Sequence, residues 1–314
     1  MQVEAHRLVE GGVRKSTAKV YNKAQKDFLE FCHTFSLVPV PVSENTLLLY
    51  IANLNRRGLA GSSMQVYLSA VRNLHSINGK PEPDVRTPKL KLALKAVGQS
   101  QPPPLQKAPI TIDILAEMWE VWESSREKLM FRALVSLGFF TGMRGVEYTY
   151  DKALRDSAPP GLGKVCFLPQ QKSFRFRLDK SKTNSGPVDK MVGCSGKRVC
   201  AYCSMLDYLK DRASHESLSS NSALFVYKDG SKVDKVSLSR IIKQAIKQTG
   251  RQESLYSAHS LRSGVATSAA QKGFKEWEVK QLGGWRSNVY MRYIRQTQHQ
   301  THDYSRRLTR ESSS

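Results

Sequence analysis

The 314-residue sequence predicts a mainly α-helical chain with a small antiparallel β-sheet, divided into two domains. Three observations predict this. Apolar residues recur at helical spacing through most of the chain, and short strand-like runs are confined to residues 165–227. Between two helical regions lies Gln99-Ser-Gln-Pro-Pro-Pro-Leu105, whose proline run favours an extended form and cannot continue a helix. The expected organisation is a helical domain over residues 1–98, a linker over 99–109, a second domain over 110–300 and a polar tail over 301–314.

In chain order, Tyr21, Ala24, Phe28, Phe31 and Phe35 define a first helix behind a cap at Ser16 or Thr17. A second runs from Ser43 to about Leu54, and Gly58 and Gly61 break the chain after it. A third presents Tyr67, Ala70, Val71, Leu74 and Ile77 on one face and stops near Gly79 and Pro81. A fourth, Pro88 to Val97, buries Leu90, Ala93, Leu94 and Val97 and leaves Lys89, Lys91 and Lys95 as a basic face. The second domain opens with a helix from Ile112 to Glu123, and Leu129 to Phe140 is apolar all round, as a buried central helix must be. Strands are predicted at Val165–Leu168, Ser173–Leu178 and Ala223–Tyr227, the last closed by Asp229-Gly230. Helices follow at 198–209, 237–249, 260–272, 276–282 and 288–297.

Composition narrows the partner. Lys and Arg number 49 against 27 Asp and Glu, a formal net charge of +22 spread along the chain. A polyanion suits that excess, because each neutralised phosphate releases counterions. No run approaches the roughly 18 apolar residues of a membrane span, and Met1 to Glu10 lacks the apolar centre of a signal peptide. A soluble intracellular protein is expected. The five cysteines, Cys32, Cys166, Cys194, Cys200 and Cys203, are odd in number, which argues against a disulfide framework. Cys194, Cys200, Cys203 and His215 suggest zinc, but reduced thiols packed as small apolar groups are the favoured reading, so neither metal nor cofactor is expected.

Six positions carry chemistry: Arg144, Lys182, His259, Arg262, Trp285 and Tyr293. They supply two guanidinium groups, an ammonium, an imidazole, an indole N–H and a phenol. Phosphoryl transfer places charge on non-bridging oxygens, and preorganised donors stabilise it. Arginine suits this because its planar fork binds phosphate through two hydrogen bonds and stays charged. Arg262 follows His259 by three residues, so a helix puts both on one face. Lys182, with Lys180 as its competitor, can protonate a departing oxygen. His259 can move a proton near neutral pH. Trp285 can only donate. Tyr293 is the proposed nucleophile, with Tyr290 as its rival, and Glu147 is read as a partner that orients these groups.

These positions fall in recognisable boxes. Thr141-Gly-Met-Arg144-Gly-Val-Glu147 resembles the first arginine box of the tyrosine recombinases, or phage-type integrases. His259-Ser-Leu-Arg262 is similar to their second box, and Leu282-Gly-Gly-Trp285 with Tyr293 to their third. Ser181-Lys182-Thr183 resembles their β-hairpin lysine, and Tyr67-Leu-Ser-Ala-Val-Arg72-Asn-Leu-His75 their helical core-binding domain. Tyr290-Met-Arg-Tyr293-Ile-Arg295 is similar to the eukaryotic DIRS and Ngaro retroelement branch. The resemblance implies a core-binding domain and a catalytic domain clamped on duplex DNA. It implies strand cleavage through a 3′-phosphotyrosine without metal or ATP, Arg144, Arg262 and Lys182 supplying the positive charge. It also implies two protomers on one site, four in the synapse and a Holliday-junction intermediate. Arg72, His75, Lys89, Lys91 and Lys95 are the further DNA contacts expected in the first domain. The compartment implied is the nucleus in a eukaryote or the cytoplasm in a bacterium. The alternatives are a non-cutting DNA-binding descendant of such an enzyme, a type IB topoisomerase and, fitting the charge alone, a helical RNA-binding protein.

Overall fold

The computed structural model describes residues 1, 4, 12–13, 15–103, 105–123, 125, 127–150, 159–179 and 186–294. The chain divides into two compact units, residues 1–104 and 105–314. Among the described residues no helix is long and apolar enough to cross a membrane.

Among the described residues, the first unit holds the helices α1 (Lys15–Thr34), α2 (Glu44–Arg56), α3 (Gly61–Ile77) and α4 (Pro88–Ser100). Phe28, Leu47, Tyr50, Leu54, Met64, Leu68 and Leu90 are fully buried between them. Ser43 caps α2, accepting from the Thr46 N–H at 3.1 Å, which stabilises such a helix by about 1 kcal/mol. Thr87 caps α4 in the same way, and Pro88 begins that helix where its missing N–H costs nothing. The first helix begins at Lys15, so Ser16 and Thr17 lie inside its first turn and do not precede it. Phe35 and Ile77 were expected on the core faces but are 57% and 55% exposed. Phe35 follows the last residue of α1 and Ile77 is the last residue of α3, so neither is followed by a turn that would hold it on the apolar face.

The second unit contains α5 (Ile112–Val121), α6 (Lys128–Thr141), the single turn α7 (Gly145–Tyr148), β1 (Val165–Leu168), β2 (Ser173–Leu178), β3 (Val188–Gly193), α8 (Ala201–Ala213), α9 (Lys235–Gln248), α10 (His259–Gln271) and α11 (Glu276–Gly283). The sheet is antiparallel in the order β1-β2-β3, with Phe174 opposite Val192 and Phe176 opposite Lys190. The predicted strand at Ala223–Tyr227 is instead irregular backbone with isolated bridges, Gly161 to Ala223 and Val226 to Lys232. Its apolar residues Leu224 and Phe225 are buried without a ladder, and Tyr208 and Arg212 side chains bond its carbonyls. The third strand lies earlier, at Val188–Gly193, where Asp189 and Lys190 obscure the alternation.

Helix α6 is buried on nearly every side, with Ala133, Leu134, Val135 and Leu137 inaccessible. Helix α10 is buried from Ser260 to Ala269, and its small side chains allow close approach. At Gly264 a Cβ would lie 1.8 Å from the Ile110 carbonyl oxygen. The predicted helix over 288–297 is a 3₁₀ turn at Asn288–Arg292, with Tyr293 directly after it. Residues 295–297 lie outside the described residues.

Candidate active site

Two helix ends converge on the site. Helix α6 ends at Gly142, whose φ of +58° is the left-handed cap that glycine adopts without penalty. A Cβ there would stand 2.8 Å from the Gly283 Cα, so the ends of α6 and α11 touch backbone to backbone. Arg144 follows at the N-terminus of α7. Its backbone N–H and its Nη1 both donate to Glu147, at 2.8 and 2.9 Å. Glu147 thus holds the guanidinium, and its side chain is 8% exposed while that of Arg144 keeps 31%.

Arg262, on the first turn of α10, is 2% exposed. A buried guanidinium is tolerated only when hydrogen-bonded. Its Nη1 donates to the Gly142 carbonyl and, at 2.8 Å, to the Gly283 carbonyl, tying the two helix ends together. Its Cζ lies 4.5 Å from the centre of the Trp285 ring, a cation–π contact. Burial and the neighbouring Arg144 lower its pKa, opposed by Glu147 and Tyr293. Trp285 is itself buried, and its Nε1–H has no partner among the described residues. Leaving such a donor unpaired costs about 1–3 kcal/mol, a cost that an acceptor oxygen supplied by a ligand removes.

Tyr293 closes the cluster. Its ring centre is 5.0 Å from that of His259 and 5.8 Å from that of Trp285. The Thr267 hydroxyl holds its carbonyl at 2.9 Å. His259 has an exposed edge, yet its pKa is lowered, first by partial desolvation and then by Arg262, Arg144 and Lys235. Tyr290 is different: it is 4% exposed and packs against Trp285 with the core. Five of the six predicted residues, Arg144, His259, Arg262, Trp285 and Tyr293, therefore meet in one place. Lys182, and Lys180 with it, belong to the β2–β3 connection but lie outside the described residues.

One cation was missed by the sequence reading. Lys190 sits on β3 and donates from Nζ to the Gln281 and Leu282 carbonyls, at 3.2 and 2.9 Å, at the end of α11. Burial and Arg262 push its pKa down to about 8, partly opposed by Glu147. The signal was its two-residue register with Val188 and Val192, which turns it to the inner face of the sheet; without β3 that register was invisible.

The residues of the first domain expected at DNA divide. His75 is not a DNA contact: it is 1% exposed, accepts from the Val42 N–H at 3.0 Å through Nε2 and donates to the Val71 carbonyl at 2.9 Å through Nδ1. Both ring nitrogens are spent inside the fold. Arg72 is at the surface, paired with Glu82, and Lys89 is 4.0 Å from Glu44. Lys91 and Lys95 are exposed on α4.

Paired arginines, an imidazole, an unpartnered indole N–H and a tyrosine, all on a helical domain with a three-stranded sheet, define the tyrosine-recombinase class of catalytic domain. Residues 196–300 match the model of the phage integrase family. An integrase/recombinase xerD homolog of Selenomonas ruminantium is 23% identical over 279 residues, covering 86% of this chain and 78% of the relative. The Tn1549 transposon integrase, solved with circular intermediate DNA, is 14% identical with a TM-score of 0.61, covering 97% of this chain and 98% of its own. A lambda integrase dimer bound to a COC′ core site is 14% identical with a TM-score of 0.61, over 94% and 95% of the two chains. The XerH recombinase bound to difH, in its post-cleavage complex, is 18% identical with a TM-score of 0.58, over 85% and 70%. At these identities the solved structures establish the shared fold.

Proposed function

We propose that the chain is a site-specific DNA recombinase that cuts and rejoins strands through Tyr293. The observation that carries the reading is the Tyr293 ring packed 5.0 Å from His259 and 5.8 Å from Trp285, the ring that Arg262 covers, in a cluster that also holds Arg144. In the reaction, the Tyr293 oxygen attacks the scissile phosphorus and the bond to the 5′ oxygen breaks. The products are a 3′-phosphotyrosine and a free 5′ hydroxyl. Arg144 and Arg262 face the non-bridging oxygens, where charge grows, and the Trp285 N–H gives a further donor. His259, packed edge-on against Tyr293, accepts the phenolic proton. The departing oxygen takes its proton from a lysine, for which Lys182 remains the proposed donor. Reversal by another strand's 5′ hydroxyl conserves the bond energy, so rejoining needs no ATP.

The matched recombinases were solved on DNA, and one as a dimer, which supports duplex DNA as the partner. Pairing of protomers on one site and a four-protomer synapse belong to the same proposal. A nicked duplex, selected from a random library by binding to this protein, tests the chemistry. Cleavage next to the nick lets the short fragment diffuse away and traps the adduct. Wild-type protein should form a covalent complex, and Tyr293→Phe should bind the duplex equally and form none. An adduct that persists in Tyr293→Phe, or none with wild-type protein, contradicts the reading.

A further inference from the structure

Away from this cluster, Cys194, Cys200 and Cys203 bring their sulfur atoms together at the junction of β3 and α8, all within 4.8 Å of one another. Cys194 Sγ lies 3.7 Å from Cys200 Sγ and 3.8 Å from Cys203 Sγ. The sequence reading of these thiols as packed apolar groups fails for Cys203, which is exposed, as is Cys166 elsewhere. His215, the other zinc candidate, is not in the cluster; its Nδ1 is taken up by the Asp211 carbonyl and the Ser214 hydroxyl.

We infer that Cys194, Cys200 and Cys203 bind a zinc ion through three thiolates. A tetrahedral zinc site with Zn–S bonds of about 2.3 Å has S···S edges of about 3.8 Å, and the two shortest separations match that edge. A disulfide would need sulfurs about 2.05 Å apart, and two free thiols gain little from such proximity. The backbone is also arranged for anionic sulfur. Cys200 occupies the N-cap of α8, and its Sγ accepts from the Cys203 N–H at 3.5 Å and the Ser195 N–H at 3.3 Å. N–H groups at a helix N-terminus stabilise negative charge. Gly196, with φ +63°, makes the turn that returns the chain from Cys194 to Cys200, and the Ser195 hydroxyl closes that turn on the Val199 carbonyl at 3.0 Å. Three protein ligands leave one tetrahedral position for water or another donor.

The ion would staple the end of β3 to the start of α8. Strand β3 carries Lys190 into the catalytic cluster, so the proposed metal has a positioning part and touches no reacting atom. Binding displaces thiol protons to solvent and involves no oxidation.

The test uses the full chain, reduced, stripped with a chelator and titrated with cobalt(II) and then zinc(II). Wild-type protein should take up one cobalt with thiolate-to-metal charge-transfer bands, and zinc should bleach them. Zinc should also protect the three thiols from alkylation. Cys194→Ser and Cys203→Ser should lose the bands, and Cys166→Ser should keep them. No charge-transfer bands in wild-type protein, bands that survive in Cys194→Ser, or alkylation unaffected by zinc would each overturn the assignment. The wild-type titration decides the matter even if a serine variant fails to fold.

Discussion

His259 shows how far one residue's setting determines its chemistry. Partial burial and three cationic neighbours hold its pKa below 6.5, so it is neutral at pH 7 and able to accept a proton. The same shift has a thermodynamic sign. Between the folded value and the unfolded value of about 6.5, the native state binds fewer protons than the unfolded chain. Stability contributed here is fully present above pH 6.5 and is lost as pH falls through the folded value. Urea midpoints measured from pH 7.5 to pH 5 should therefore fall more steeply for wild-type protein than for His259→Asn. A bound phosphate should reverse the balance by favouring imidazolium, so the difference should shrink when duplex DNA is present. Equal slopes for both proteins without DNA would refute the assignment. His259 was legible in the sequence because its box fixed its spacing from Arg262. His75 misled because a histidine on an amphipathic helix looks the same in sequence whether it faces solvent or the core; the Val42 and Val71 backbone groups distinguish the two.

Helix ends, more than helix bodies, build the site. Gly142 and Gly283 approach so closely that Arg262 reaches a carbonyl of each. Gly142→Ala would combine a left-handed φ, costing about 1–2 kcal/mol for an L residue, with a 2.8 Å approach to the Gly283 Cα. Gly230 has φ +78° with nothing within 4 Å of its Cβ position, so Gly230→Ala bears the conformational cost alone. Chemical denaturation should show Gly142→Ala to be the more damaging of the two, with strand cleavage lost beyond what the stability change explains. Equal costs would mean the helix ends tolerate separation. The element boundaries that sequence captured well, such as Pro88 after Thr87 and Gly142 after a wholly apolar helix, have local chemical causes. The misplaced strand has a tertiary one: Leu224 and Phe225 are buried against side-chain donors without a ladder, whereas β3 is a polar-looking run that pairs along its whole length.

Across the whole chain, a charge of +22 suits a polyanionic partner, and five residues far apart in sequence, Arg144, His259, Arg262, Trp285 and Tyr293, come together in one cluster. Their convergence was legible because each sat in a box of recognisable spacing. Lys190 was not, because its role depends on a register that exists only once β3 pairs with β2. The cysteine cluster was legible as spacing but not as geometry, since the return turn at Gly196 sets the sulfur separations. The central claim is that a buried guanidinium and its neighbours activate one particular phenol. The most direct measurement is mass spectrometry of the peptide left attached to DNA after trapping and proteolysis. The account predicts a nucleotide-linked peptide modified at Tyr293, whose ring packs against His259 and Trp285. Modification at Tyr290, which packs against the Trp285 ring within the core, or at any other tyrosine, would contradict it.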